Sequence, residues 1–220
     1  MSNPQPPASS PKPIIILASS SPRRRELLAE AGYNFIVVPP DEDVECGVCS
    51  ESGPAGLVAQ LAYRKADAVR KKMLKAESSP LPLSPSPPLI LSADTVAECD
   101  GFILGKPRDE QGARAMLTQL SGREHRVLTG ICLWVMDWSK PIIHVEVTTL
   151  RMDNLTEAQL NDYLASGQWE GKAGAFGYQD RLGWVKIVEG SESNVVGLPM
   201  ELLAEMLAKL QAKPQAAGNA

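Results

Sequence analysis

The stretch Leu89-Ile90-Leu91-Ser92-Ala93-Asp94-Thr95-Val96-Ala97-Glu98-Cys99-Asp100-Gly101 decides the fold. Leu89 to Glu98 reads as a strand, and Asp100-Gly101 is a strong hairpin turn signal. The chain before it follows another logic. Ile14-Ile15-Ile16-Leu17-Ala18 reads as a buried strand and runs at once into a helix from about Pro22 to Ala31. Ser21 can cap that helix, Pro22 suits its first position and Gly32 its end. Crossover and hairpin connections in one chain imply an α/β fold with a mixed sheet.

Working outward, Phe35 to Val38 is a short strand, followed by an acidic loop from Asp41 to Glu45. A long helix runs from about Ala55 to Lys75. Ala76 to Pro88 is dominated by Ser and Pro and reads as a flexible insertion, since the strand pattern resumes directly after it. A helix from Arg108 to Leu120 is closed by Gly122. Arg126 to Met136 and Ile142 to Arg151 are long strands. Thr156 caps a helix ending near Ser166-Gly167. A Gly-rich stretch, Gly171 to Gly183, leads into strand Trp184 to Val188, and Pro199 opens a last helix to about Leu210. One domain over residues 14–210 is expected, between disordered tails at 1–13 and 211–220.

The chain has 220 residues, 44% hydrophobic and 22% charged, with a net charge of -4. No global basic field draws it to nucleic acid or a membrane, so a bound anion must be met by local positive charge. The N-terminal residues lack a basic segment followed by a long apolar run, so no signal peptide is read and a cytoplasmic location is expected. Cys46 and Cys49 have zinc-ligand or redox spacing, but two further ligands at similar spacing are missing. With Cys99 and Cys132 they are read as reduced thiols.

Three features carry chemistry. Ser19-Ser20-Ser21-Pro22-Arg23-Arg24-Arg25 joins a strand to a helix start, where free N–H groups and the dipole favour an anion. Arginines there oppose the dipole unless an anion lies in front of them, so phosphate binding is favoured over solvated arginines. Lys65 falls in the helical arc of Leu57, Val58, Leu61, Ala62, Val69 and Met73. Either its stem snorkels or the arc borders a polar cleft. Asp94 is costly within an apolar strand, and strand ends in α/β sheets form ligand sites. A hairpin return can bring Lys106 of Gly105-Lys106-Pro107 near it. The Asp41–Glu45 loop either supplies carboxylates to Mg²⁺ or is simply solvated. Lysines and arginines to neutralise a polyphosphate, with carboxylates for a metal and a water, make a coherent hydrolase set.

These motifs resemble the Maf family. The resemblance rests on Leu17-Ala18-Ser19-Ser20-Ser21-Pro22-Arg23-Arg24, Ser92-Ala93-Asp94-Thr95-Val96, Leu104-Gly105-Lys106-Pro107, Leu120-Ser121-Gly122, Thr129-Gly130, Lys172-Ala173-Gly174-Ala175-Phe176-Gly177-Tyr178-Gln179 and Val196-Gly197-Leu198-Pro199. They occur in the family's order. The resemblance implies a nucleoside triphosphate pyrophosphatase, which cuts between the α and β phosphates. It implies a mixed sheet bent around a deep cleft with flanking helices, related to the inosine triphosphatases, Mg²⁺ or Mn²⁺ as cofactor, and frequent homodimers. It places the catalytic aspartate on Asp94 and phosphate-binding cations on Arg24, Lys65 and Lys106. Ser19 belongs to the same substrate-binding turn. The acidic-loop metal ligand falls on Glu45, with Asp43 the alternative across a one-residue length difference.

The family divides at three specificity positions. Arg23, Thr95 and Gln179 match the branch acting on dTTP and UTP, whereas Trp, Gln and Glu mark the 7-methyl-GTP branch. Gln179 is followed by Asp180-Arg181 where many relatives carry Gly, and the Cys46/Cys49 loop and the Pro-rich insertion are not general features. Two other readings accompany the pyrimidine one: the same reaction on 7-methyl-GTP or another modified purine nucleotide, and a nucleotide-binding regulator of septum formation.

Overall fold

The computed structural model describes residues 14–41, 44, 52–75 and 87–212. Glu45, Asp43, Cys46, Cys49, both tails up to Pro13 and from Lys213, and residues 76–86 of the insertion lie outside the described residues. In chain order the elements are β1 (Ile15–Leu17), α1 (Pro22–Glu30), β2 (Phe35–Val37), α2 (Gly53–Lys75), β3 (Leu89–Cys99), β4 (Phe102–Leu104), α3 (Glu110–Leu120), β5 (Glu124–Val135), β6 (Ile142–Met152), α4 (Glu157–Ala165), β7 (Val185–Glu189), α5 (Glu192–Val196) and α6 (Met200–Ala212). The last helix thus runs two residues past the expected limit at 210.

The sheet is mixed, in the order β2-β1-β3-β5-β6-β7, with β4 also paired to β3. β1 lies parallel to β2 and β3. β3, β5, β6 and β7 succeed one another antiparallel. The hairpin forms as the turn signal requires, with Asp100 and Gly101 both at positive φ (52° and 84°).

The apolar run of β1 is buried on both faces, which is why it does not alternate. Ile15 and Leu17 pack with Leu28 of α1 and Leu203 and Met206 of α6. Ile16 and Ala18 face the opposite way, against Ala62, Ala66 and Val69 of α2. α2 therefore covers one face of the sheet, and α1 and α6 the other. The far end of the sheet is closed by α3 and α4 through Leu117, Leu120, Leu160 and Tyr163.

Two local expectations are modified. Ser21 occupies the cap position of α1, but its side chain makes no capping bond. Instead its N–H donates to Ser19 Oγ at 3.2 Å. Between the strand read at Trp184 to Val188 and the helix opened by Pro199, where no element is read from the sequence, the chain forms α5. That short helix is capped by Ser191 and held by buried Asn194, which donates to Val127 O and Thr148 Oγ1. Its anchors lie far away in sequence, so no local pattern announces it.

One topological detail creates the site. β5 occupies one edge of β3 from Leu89 to Glu98. The other edge is shared: β1 pairs with Leu89–Leu91 and β4 with Ala97–Cys99. Ser92 to Val96 are left between the two without a strand partner on that edge. The parallel neighbour ends there and the antiparallel one begins, and such breaks in strand order are where α/β sheets open a crevice.

Candidate active site

A cleft of about 540 Å³ opens at this gap. It is lined by Ser19 to Arg24 from the end of β1 and the start of α1, by Asp94 to Ala97 of β3, and by Gly105 and Lys106 beyond β4. Lys65 of α2, Gly171 to Ala173 and Phe176 to Gln179, and Val195 to Gly197 also line it. Ser19, Arg23, Arg24, Lys65, Asp94, Thr95, Lys106 and Gln179 therefore meet in one place, although they span most of the chain.

The electrostatics are lopsided. Among the described lining residues, Arg23, Arg24, Lys65, Lys106 and Lys172 are cationic, and Asp94 is the acid. A chain with net charge -4 has gathered positive charge at one spot. Such a concave, net-positive site favours a polyanion.

Lys65 sits in the buried stripe of α2 with Val58, Leu61, Ala62, Ala66 and Val69. Of its two readings, the polar cleft is the observed one. Its Nζ donates to Asp94 Oδ1 at 2.5 Å, with both side chains nearly buried. The pair resolves two apparent anomalies at once, because each charge satisfies the other out of water. α2 comes close enough for this because Gly130, opposite Asp94 in the β3–β5 register, has no side chain. A Cβ at Gly130 would lie 2.3 Å from the Val58 carbonyl oxygen.

The three consecutive arginines take different positions. Arg24 is buried and braces the cleft floor. Its Nε donates to Gly197 O at 2.8 Å, Nη1 to Ser19 Oγ at 3.2 Å and Nη2 to Thr95 Oγ1 at 3.2 Å. Thr95 Oγ1 also lies 2.9 Å from Thr129 Oγ1. Arg23 is half-buried on the cleft wall, while Arg25 points away into solvent and does not line it. A helix turns by about 100° per residue, so three neighbours cannot share one face. The first turn of α1 has no acidic residue, which leaves its N–H groups for an incoming anion.

Lys106 follows β4 into the cleft, as the hairpin return leads one to expect, and is exposed there. It makes no ion pair among the described residues.

Beyond the charged end, Ala97, Leu120, Val127, Leu150, Phe176 and Val185 form an apolar section. Phe176 is backed by Trp184, their rings stacked with centroids 6.1 Å apart. Polar, cationic and apolar parts in sequence suit a ligand with a charged tail and a flat ring.

Sequence reasoning left some participants without a role. Lys172 stood within a quoted motif, but nothing local marked it as a cleft cation. Its partner Asp180, which also accepts from the Tyr163 hydroxyl, meets it only in the fold. Cys99 and Cys132 are buried free thiols on β3 and β5. Burial pushes the Cys132 thiol up to about 12 and raises that of Cys99 as well, so neither is a ready nucleophile.

Fold and cleft together define an α/β protein with a cationic cleft at a break in its mixed sheet. A sequence profile of the Maf family, described as "Maf-like protein", matches residues 14–210. The chain belongs to this family. It is 50% identical over 204 residues to a dTTP/UTP pyrophosphatase of Rhodopirellula baltica, covering 92% of this chain and 85% of that protein. It is 41% identical to the dTTP/UTP pyrophosphatase of Ruminiclostridium cellulolyticum, over 90% of this chain and 97% of that one. The protein of the same description from Pyrococcus abyssi is 37% identical over 92% of this chain and 98% of its own length.

Proposed function

We propose that this protein hydrolyses dTTP and UTP to the nucleoside monophosphate and pyrophosphate. The observation that carries the proposal is the cationic cleft around Asp94, at the break between β1 and β4. The shared description of the relatives supports the same substrates.

In this reading the triphosphate lies against Arg24, Lys65, Lys106 and the start of α1. Arg24 holds that turn to Gly197 and Thr95. Water attacks the α phosphorus, the bond to the bridging oxygen breaks, and pyrophosphate leaves. Asp94 orients the water or takes its proton. Cations placed before the reaction stabilise the charge that builds on the phosphoryl oxygens.

A divalent cation fits the donor set. A carboxylate has about four acceptor sites, so the Lys65 contact leaves capacity on Asp94. The oxygen donors Asp94 and Glu45 would hold Mg²⁺ or Mn²⁺, with substrate phosphates and water filling the remaining positions. Among the described residues no group of three such side chains forms a ready-made cage. When bound, the ion neutralises phosphate charge and polarises a phosphoryl oxygen.

The base lies in the apolar section beside Gln179 and Arg23. A Gln amide carries both a donor and an acceptor, which matches the imide edge of uracil or thymine. No helix among the described residues is long and apolar enough to cross a membrane. We place the reaction in the cytoplasm with its nucleotide substrates.

The test is to incubate the protein with Mg²⁺ or Mn²⁺ and a panel of nucleoside triphosphates, measuring pyrophosphate and orthophosphate separately. Pyrophosphate from dTTP and UTP is expected. Orthophosphate instead would discard the cleavage site, and turnover of 7-methyl-GTP alone would move the protein to the other branch.

A further inference from the structure

Gln179 enters the cleft from a tight turn, Tyr178–Asp180, whose ends are closed by backbone bonds from Asp180 N–H to Gly177 O and from Arg181 N–H to Tyr178 O. Arg181 sits at φ 51°, a left-handed conformation disfavoured for a residue with a Cβ. Such a turn needs an outside anchor.

Asp180 provides one. Lys172 Nζ lies 2.6 Å from Asp180 Oδ1 and 2.5 Å from Oδ2. Tyr163 Oη donates to Oδ2 at 2.9 Å. The Lys172 and Asp180 side chains are each 11% exposed. Burial and the Asp180 carboxylate hold the Tyr163 phenol protonated, against smaller opposing effects of the Gly177 backbone and Arg23. The hydroxyl is therefore a dependable donor. Tyr163 itself packs against both Phe176 and Trp184, with ring centroids 5.9 and 5.5 Å away.

The anchored lysine and the Gln179 amide approach the same backbone position. A Cβ on Gly177 would come within 2.7 Å of Gln179 Nε2 and 2.9 Å of Lys172 Cε and Nζ. Both side chains thus lie over the bare α-carbon of Gly177. A Gln amide turned by 180° exchanges donor for acceptor and would serve cytosine as well as uracil. Selectivity for an imide requires one fixed orientation, and crowding of the amide against Gly177 by the clamped Lys172 side chain restricts its rotation.

We propose that Asp180, gripped by Lys172 and Tyr163, is a positioning residue that fixes the Gln179 amide and thereby sets discrimination between uracil or thymine and cytosine. The inference rests on the pyrimidine-nucleotide reading above. It assigns Lys172 to the base end of the cleft, its charge already matched by Asp180, and leaves the phosphates to the other cations.

The test compares wild type, Asp180→Asn and Tyr163→Phe on UTP, dTTP and CTP, with inorganic pyrophosphate as a competitive probe of the phosphate end. For Asp180→Asn the KM for UTP should rise about tenfold, with kcat falling no more than about threefold and the UTP:CTP ratio of kcat/KM dropping about tenfold. Inhibition by pyrophosphate should be unchanged. Tyr163→Phe keeps the ring packing and the ion pair, and should move the ratio the same way by about threefold. An unchanged ratio, or an equal loss on every nucleotide with weaker pyrophosphate binding, would overturn the proposal. If Asp180→Asn does not fold, the Tyr163→Phe ratio decides. A wild-type protein inactive on dTTP and UTP would remove the functional reading and this inference together. An active wild type with unmoved ratios would remove the inference alone.

Discussion

Lys65 Nζ lies 2.5 Å from Asp94 Oδ1, joining the middle of α2 to the unpaired edge of β3. Their side chains are 8% and 12% exposed, so the contact is made almost out of water. Removing one member of such a pair strands the other and costs about 3–5 kcal/mol. Asp94→Asn keeps the shape and a hydrogen-bond acceptor, so it should fold while losing at least about a hundredfold in kcat. Lys65→Met should lose activity and also unfold at lower temperature. Circular dichroism melts and pyrophosphate release, measured on the same samples, separate the two effects. Undiminished turnover by Asp94→Asn would place the chemistry elsewhere.

Gly130 is where α2 rests on β5. Alanine there would put a Cβ 2.3 Å from Val58 O and 2.4 Å from its carbonyl carbon, both backbone atoms. Backbone cannot swing aside as a side-chain tip can, so α2 must lift. Overpacking of this kind costs about 1–3 kcal/mol or more. A melting temperature lowered by several degrees is expected for Gly130→Ala, together with a loss of kcat as Lys65 is drawn away from Asp94. A variant of wild-type stability and activity would show that the helix does not rest there.

Arg24→Lys is conservative in charge only. The guanidinium divides three nitrogens among Gly197 O, Ser19 Oγ and Thr95 Oγ1. An ammonium has neither the reach nor the planar fork to serve all three. Without the brace, the α1 start and the Val195–Gly197 wall should separate. A KM for dTTP raised about tenfold is expected, with a smaller change in melting temperature. Steady-state kinetics beside a thermal melt check this, and an unchanged KM would refute it.

His125 makes stability depend on pH. Burial lowers its pKa from the usual value near 6.5, partly offset by the Arg123 backbone carbonyl. The folded state therefore binds fewer protons than the unfolded chain as pH drops below 6.5. Unfolding becomes easier across that window, with a slope of up to about 1.4 kcal/mol per pH unit. His125→Gln should flatten the decline in melting temperature between about pH 7 and 5. If both proteins decline in parallel, the buried imidazole is not the cause.

Some of this architecture was legible in the chain itself. Element types follow from short-range physics: the run Ile14 to Ala18, the Asp100-Gly101 turn and the Thr156 cap all formed where their local chemistry required. Lys65 and Asp94 stood out because each breaks a local rule, and a rule broken twice pointed to one site. The ordered motifs pointed to the family for the same reason, since they are strings of neighbouring residues. The fold decided the rest. Only strand pairing leaves Ser92 to Val96 without a neighbour between β1 and β4. Only packing turns Arg24 inward and Arg25 outward, and only the fold brings Tyr163 and Lys172 to Asp180. Local propensity governs a few consecutive residues, whereas the energies that close a site belong to contacts between segments far apart along the chain.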